Sequence, residues 1–301
     1  MRKLPLSFWL LGVAVLVLPA FLSAQEKTEV IEKTFPVDIS KPVSLEFHDV
    51  DGSLILSPSG DSTIRVKIKK EVRSINARRT ERLLRETTVD FSQSGNFLVI
   101  RIRYPRRRGF FFWIGDFHRV KVTSEVFLPE NSRLKADLVD GEVRGSGLKG
   151  KMNLKTVDGD IRLSQIQGAI QAKTTDGRID LKDIGGRVQA ETVDGRMAVA
   201  GALRELRLKS IDGNIRVDCS STSVMEKEWE IRTTDGDVDI LLPGNFSADL
   251  SLQTGDGRIL TEIPAAVTKE TSKKRLEGKL NGGGYLFSIR TGDGQISLRA
   301  R

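Results

Sequence analysis

Eight segments of the chain align on a single pattern: LKADLVDGEVRG, MNLKTVDGDIRL, IQAKTTDGRIDL, VQAETVDGRMAV, LRLKSIDGNIRV, WEIRTTDGDVDI, LSLQTGDGRILT and FSIRTGDGQISL. Apolar residues recur at the first, third, tenth and twelfth positions. Leu154, Ile161 and Leu163 hold three of them in one unit, and Ala172, Ile179 and Leu181 in the next. Alternation with period two on both sides of a turn predicts two half-buried strands per unit, with their apolar side chains on one face. The Asp-Gly pairs at Asp140, Asp158, Asp176, Asp194 and Asp212 follow one another at 18 residues without an insertion. The series continues at Asp235, Asp256 and Asp293 with longer spacings, and an outlying copy sits at Asp51-Gly52.

A fixed period with like residues at equal positions, such as Thr156, Thr174 and Thr192, predicts an all-β parallel solenoid. Each unit is then one coil, rising about 4.8 Å as neighbouring strands do. A meander of antiparallel hairpins is the alternative, because Asp-Gly between alternating runs is also a hairpin signal. An open meander of so many strands needs a second layer over its apolar face. Gly141, Gly159, Gly177, Gly195, Gly213, Gly236, Gly257 and Gly294 are the structural turn residues, expected at positive φ, where a Cβ clashes.

Three runs before the regular coils alternate in the same way: Ile64 to Val72, Leu98 to Tyr104 and Val120 to Leu128. Ser74 to Glu86, with Ala77, Leu83 and Leu84, predicts one short helix capped by Ser74. Residues 262–284, basic and then Gly-rich, read as a loop leaving the stack. The chain opens with Arg2 and Lys3, an apolar stretch from Leu4 to Leu18, and Leu22-Ser23-Ala24 before Gln25. This is the layout of a secretory signal peptide cleaved after Ala24, with an N-terminal membrane anchor as the alternative. The expected organisation is a signal peptide at 1–24, a β-rich segment with the first coil and a basic, aromatic insertion at 25–133, and the repeat solenoid at 134–301. Export places the protein in the periplasm or at the cell surface.

Charge changes the picture only slightly. The formal net charge of +8 falls to +6 without Arg2 and Lys3, and both signs are interspersed along the repeats. That describes solvated strand faces and not a nucleic-acid groove. Cys219 is the only cysteine, so no intramolecular disulfide forms and packing alone holds the fold.

The leader, the run Val126-Phe127-Leu128-Pro129 entering the first regular coil, the serial T-x-D-G-x-I units and the closing GKLNGGGYLFSIRTGDGQISL together resemble the bacterial putative adhesin domain family, from about Leu45 to Leu298. The resemblance implies an exported β-solenoid of the cell envelope without established catalytic residues. Many members carry Asn-Gly where this chain has Asp-Gly, which makes its turn row acidic.

Two places offer candidate chemistry. In a solenoid, Asp158, Asp176, Asp194 and Asp212 form a column of carboxylates about one strand spacing apart, weak candidates for calcium. The structural alternative is that each Asp accepts hydrogen bonds within its turn while Lys155, Lys173, Lys209, Arg178 and Arg196 balance the charge. The second place is RRRGFFFWIGDFHR, Arg106 to Arg119, which no repeat explains. Arg106, Arg107, Arg108, Phe111, Phe112 and Trp113 are a candidate partner or anionic-membrane surface, or else plug the end of the stack. Carboxylates repeated identically are what a turn demands and a single active site does not, and His48 and His118 stand in no metal or triad spacing. The expectation is therefore a non-catalytic, cofactor-free adhesin-like binding or scaffold module whose partner is an envelope protein or glycan. An envelope-state sensor is the alternative, and a polysaccharide-acting β-helix enzyme ranks below both.

Overall fold

The computed structural model describes residues 25–74, 76–105, 119–263 and 266–301, and over them the chain is all-β with one short helix. The first elements are β1 (Gln25–Pro36), β2 (Val43–His48), β3 (Gly52–Pro58), β4 (Thr63–Ser74), α1 (Ala77–Glu86), β5 (Thr88–Ser94), β6 (Phe97–Arg103) and β7 (Arg119–Leu128). There follow β8 (Ser132–Asp137), β9 (Val143–Ser146), β10 (Lys149–Lys155), β11 (Ile161–Ser164), β12 (Gln167–Lys173), β13 (Ile179–Glu191), β14 (Met197–Lys209), β15 (Ile215–Cys219), β16 (Trp229–Asp235) and β17 (Val238–Leu242). The last six are β18 (Ala248–Asp256), β19 (Ile259–Thr261), β20 (Ala266–Ser272), β21 (Arg275–Leu280), β22 (Leu286–Asp293) and β23 (Ile296–Ala300).

The architecture is solenoid-like because each repeat buries its apolar alternation against the same interior. Met152 and Leu154 of β10 and Ile161 and Leu163 of β11 all point into one core, which runs without a break from Val43 to Leu298. β10 pairs β12 in parallel with Lys149 opposite Gln167, and β11 pairs β13 with Ile161 opposite Ile179, each an offset of one repeat. Strands entering the Asp-Gly corners form one row and strands leaving them a second. β13 and β14 run through the opposite corner and belong to both rows. The boundary drawn at residue 133 falls inside β8, whose partner on one side is β2.

At both ends the spatial order of coils departs from the chain order. The coil β2–β3 lies between β6–β7 and β8–β9. At the far end β22–β23 lies between β16–β17 and β18–β19. Antiparallel strands then cover the outer coils: β5 on β6, β4 and beyond it β1 on β7, and β21 with β20 on β18. Residues 262–284 are thus not a plain loop, since they contain the hairpin that closes the stack. The periodic Leu276, Gly278 and Leu280 of β21 turn inward on the last coil, and both leucines are buried.

The helix starts two residues later than its sequence signal. Asn76, not Ser74, is the cap, its side chain accepting from the N–H groups of Arg78 at 3.0 Å and Arg79 at 3.4 Å. Leu83 and Leu84 pack on Val72. The buried Lys70 donates to the carbonyls of Leu84 and Thr87 at 3.1 and 3.0 Å and pairs with Glu29. A cation therefore satisfies the helix C-terminus, where orphan carbonyls and the helix dipole favour one.

Candidate functional site

The corner that carries the Asp-Gly pairs is built by residues on both sides of the aspartates. Thr156 Oγ1 donates to the carbonyls of Val139 at 3.1 Å and Gly141 at 3.3 Å, both in the preceding coil. Thr174 repeats this on Val157 and Gly159, and Thr233, Thr291 and Thr254 each reach the glycine carbonyl of a neighbouring coil. These buried hydroxyls stitch coil to coil, a role invisible in the sequence beyond the likeness of the threonines. The glycines have a shared cause that differs from the expected one. A Cβ on Gly177 would lie 2.2 Å from the carbonyl oxygen of Gly159, and one on Gly159 2.0 Å from that of Gly141. Close approach of stacked backbones excludes a side chain there, and positive φ is added at Gly195, Gly213, Gly236 and Gly294.

Asp140, Asp158, Asp176, Asp194 and Asp212 are in parallel register from coil to coil, with exposed side chains. Their turns are held by backbone bonds, such as Asp158 N–H to Val139 O at 2.9 Å, and these five carboxylates form no ion pair with a described residue. Lys173 pairs with Glu191 and with none of these aspartates. No three carboxylates of the column converge. The one trio close enough to share a ligand among the described residues is Glu46, His48 and Asp137. There the Lys135 ammonium already stands between the carboxylates, 2.8 Å from Glu46 and 3.5 Å from Asp137. His48 turns one ring nitrogen to each acid, at 2.8 and 3.5 Å, so its two nitrogens serve different partners. The hydrogen bond from Lys135 holds the Glu46 carboxyl below its ordinary range. This is a cross-strand ion network. Burial pushes the Cys219 thiol up to about 12, so it stays protonated and inert.

The outlying repeat hides one unusual group. At Asp49 the chain has a carboxylate where later coils carry Thr156 or Thr174. Its Oδ1 accepts from the N–H groups of Val50 at 2.7 Å and Asp51 at 3.3 Å, while Oδ2 is buried without a hydrogen-bond partner. Burial raises its pKa from 3.8 to about 6, against the opposing pull of the nearby Tyr104 hydroxyl and those N–H groups. The folded chain thus holds this proton more tightly than the unfolded chain. The stability it contributes is full below about pH 4 and is lost as pH rises through about 6, amounting to ~3 kcal/mol at ~1.4 per unit. Asp49→Asn is expected to be more stable than the parent at pH 7, with the difference closing toward pH 4. Urea midpoints of both proteins at pH 4, 5.5 and 7 measure it, and a pH-independent difference overturns it.

Residues 1–24 and the stretch containing Arg106, Arg107, Arg108, Phe111, Phe112 and Trp113 lie outside the described residues. No described helix is long and apolar enough to cross a membrane. A further feature, missed by the repeat analysis, is a groove of about 740 Å³ over the C-terminal coils, lined by Lys173, Lys209, Arg232 and Arg290.

No curated protein matches the chain in sequence. Among solved structures it is similar to a putative adhesin from Bacteroides fragilis, at 14% identity and a TM-score of 0.42, covering 91% of this chain and 97% of that one. It is also similar to a putative lipid binding protein from Parabacteroides distasonis, at 11% identity and a TM-score of 0.39, covering 90% and 96%. A putative cell adhesion protein from Clostridium sporogenes matches at 11% identity and a TM-score of 0.26, over 91% and 100%. Residues 61–299, from before β4 into β23, match the Toastrack DUF4097 family, and with most of its length so accounted for the chain belongs to that family.

Proposed function

We propose that the chain is an exported, non-catalytic, adhesin-like module of the cell envelope, built as a parallel β-solenoid that displays its outer side chains to a partner. The observation that supports this best is the in-register repetition of exposed residues from coil to coil. The aspartate column and the basic column beside it are each extended, periodic surfaces. Catalysis needs a few unlike groups converging on one point, whereas a partner of repeating or extended shape is met by like groups in line. The segment from Arg106 to Trp113 lies in the chain between β6 and β7. Its arginines and aromatics suit an anionic membrane surface or an envelope protein or glycan.

Co-sedimentation of the protein with envelope preparations tests the reading. Saturable retention is expected, lost on changing Phe111, Phe112 and Trp113 to Ser with stability held within ~1 kcal/mol. Absence of retention by the parent overturns the envelope role. Retention by both proteins overturns the part given to the aromatic segment.

A further inference from the structure

At several places on the outer face of the row entering the Asp-Gly corners, opposite charges face each other across neighbouring strands. Lys135 faces Glu46, Arg187 faces Glu205, Arg207 faces Glu230 and Lys173 faces Glu191, each as an ion pair. Beyond Glu191, the last column before the corner departs from this pattern. There Lys209 lies opposite Arg232, and Arg232 opposite Arg290. Three cations in adjacent strands repel one another, and like charges directly opposite are destabilising. Arg232 shares Glu230, but Lys209 and Arg290 form no ion pair with a described residue. The same column sets Lys155 beside Lys173, so Glu191 is the single acid among six positions from Lys155 to Arg290. Burial alone would push the Glu191 carboxyl up, yet the Lys173 and Gln189 hydrogen bonds and the charges of Lys173 and Lys209 bring it below its ordinary value.

This column borders the groove. One wall is formed by the exposed Val193 and Ile211, which precede Asp194 and Asp212. In the last two coils Gly292 and Gly255 stand in their place, so no side chain rises there and the groove stays open toward Gln253. Those glycines also have a packing reason, since a Cβ on either would come within 2.8 Å of a neighbouring carbonyl. Lys209 and Arg290, without an ion pair to a described residue and lining an open groove, are free to neutralise an anionic ligand.

From this we infer that the groove over Lys173, Lys209, Arg232 and Arg290 binds a linear acidic polysaccharide, with carboxylates on the cations and hydroxyls on the exposed Gln253; this rests on the envelope-module reading above. The column from Lys173 to Gln253 crosses six strands, about 24 Å at the strand spacing, which suits an extended chain and exceeds a single headgroup. A flat anionic membrane laid on this edge would meet the exposed aspartate column as well as the cations, whereas a thread lies on the cations alone. A peptide held by strand addition needs a free sheet edge, and an acidic peptide held by its side chains alone is the case that the polyglutamate arm below tests. Here the groove lies on a sheet face whose strands are already paired on both sides.

The test measures binding of polygalacturonate oligomers to the protein by titration calorimetry, with neutral dextran, polyglutamate and phosphatidylglycerol vesicles as comparison arms. Polygalacturonate is expected to bind, more weakly as salt rises, and to lose at least tenfold in affinity on Lys209→Gln with Arg290→Gln. That variant keeps or raises the melting temperature, because it removes like-charge repulsion. Lys182→Gln with Arg216→Gln, an equal charge change on the opposite face, leaves affinity unchanged. Equal losses in both variants, no loss in the first, or binding of polyglutamate or vesicles in preference to polygalacturonate each overturn the assignment. If envelopes retain the protein while polygalacturonate does not bind, the groove assignment falls and the envelope role stands. If neither binds, both fall.

Discussion

Gly177→Val is expected to destabilise the protein by about 3 kcal/mol or more, while Arg178→Ala, its immediate neighbour, shifts stability by no more than ~0.5 kcal/mol. The valine must displace the Gly159 carbonyl, which a Cβ would approach to 2.2 Å, and that carbonyl also receives the Thr174 hydroxyl. Backbone on both sides is fixed by coil-to-coil bonds, among them Gly177 N–H to Asp194 O at 3.2 Å, so the stack has nowhere to relax. Gly60 supplies the converse. Its φ is +72°, but nothing lies within 4 Å of its added Cβ, so Gly60→Ala costs only the backbone term, about 1 kcal/mol. Denaturant midpoints of the three variants check the ranking. If Gly177→Val cost no more than Gly60→Ala, close stacking would not be the reason for the glycine column.

Deletion of residues 286–301 is expected to unfold the C-terminal third of the stack. In a simple linear repeat, trimming the last unit removes one interface. Here the last unit in the chain is an interior coil, with β16 and β18 on either side of β22 and with β17 and β19 on either side of β23. The deletion strips out Phe287, Ile289, Ile296 and Leu298, all fully buried, and leaves Trp229 and Phe246 without the ring they pack against. Four such side chains represent roughly 6 to 12 kcal/mol of apolar burial. A whole domain is stable by only about 5 to 15. Loss of near-UV circular dichroism and of a cooperative transition from these coils is the expected readout. A truncated protein with the parent's spectrum and midpoint would contradict the interleaved order.

What the sequence revealed and what it concealed divide along physical lines. Period-two alternation and the 18-residue spacing depend on local backbone geometry, so β4, β6, β7 and the regular coils were legible residue by residue. β1 and β5 were not, because their strands are largely exposed and carry charged or polar residues at most positions. The insertion of β2–β3 and β22–β23 between other coils was also hidden. Parallel pairing is nonlocal, and two coils with the same apolar pattern fit either neighbour equally well. At the candidate site, the Asp-Gly pairs drew attention to the aspartates, whereas the stack is joined by the threonines and glycines around them. The cationic run of Lys209, Arg232 and Arg290 could not be read from one unit at a time. Its members are far apart in the chain and meet only once the coil order is known.

The strands laid antiparallel over both outer coils have a consequence for how this molecule meets its own copies. A stack of in-register strands with a bare end is a template for fibre growth, since any identical coil continues the hydrogen-bond ladder. Here β5 and β4 occupy the outer edges of β6 and β7, and β21 occupies that of β18. The carbonyl of Lys273 takes the N–H of Ile259 on β19. β1, the outermost strand over β4, is strewn with Glu26, Lys27, Glu29, Glu32 and Lys33, a charged fringe that discourages edge-to-edge addition. In place of a bare parallel ladder, the outer coils thus present antiparallel strands, one of them strongly charged, and this discourages the addition of a further identical coil.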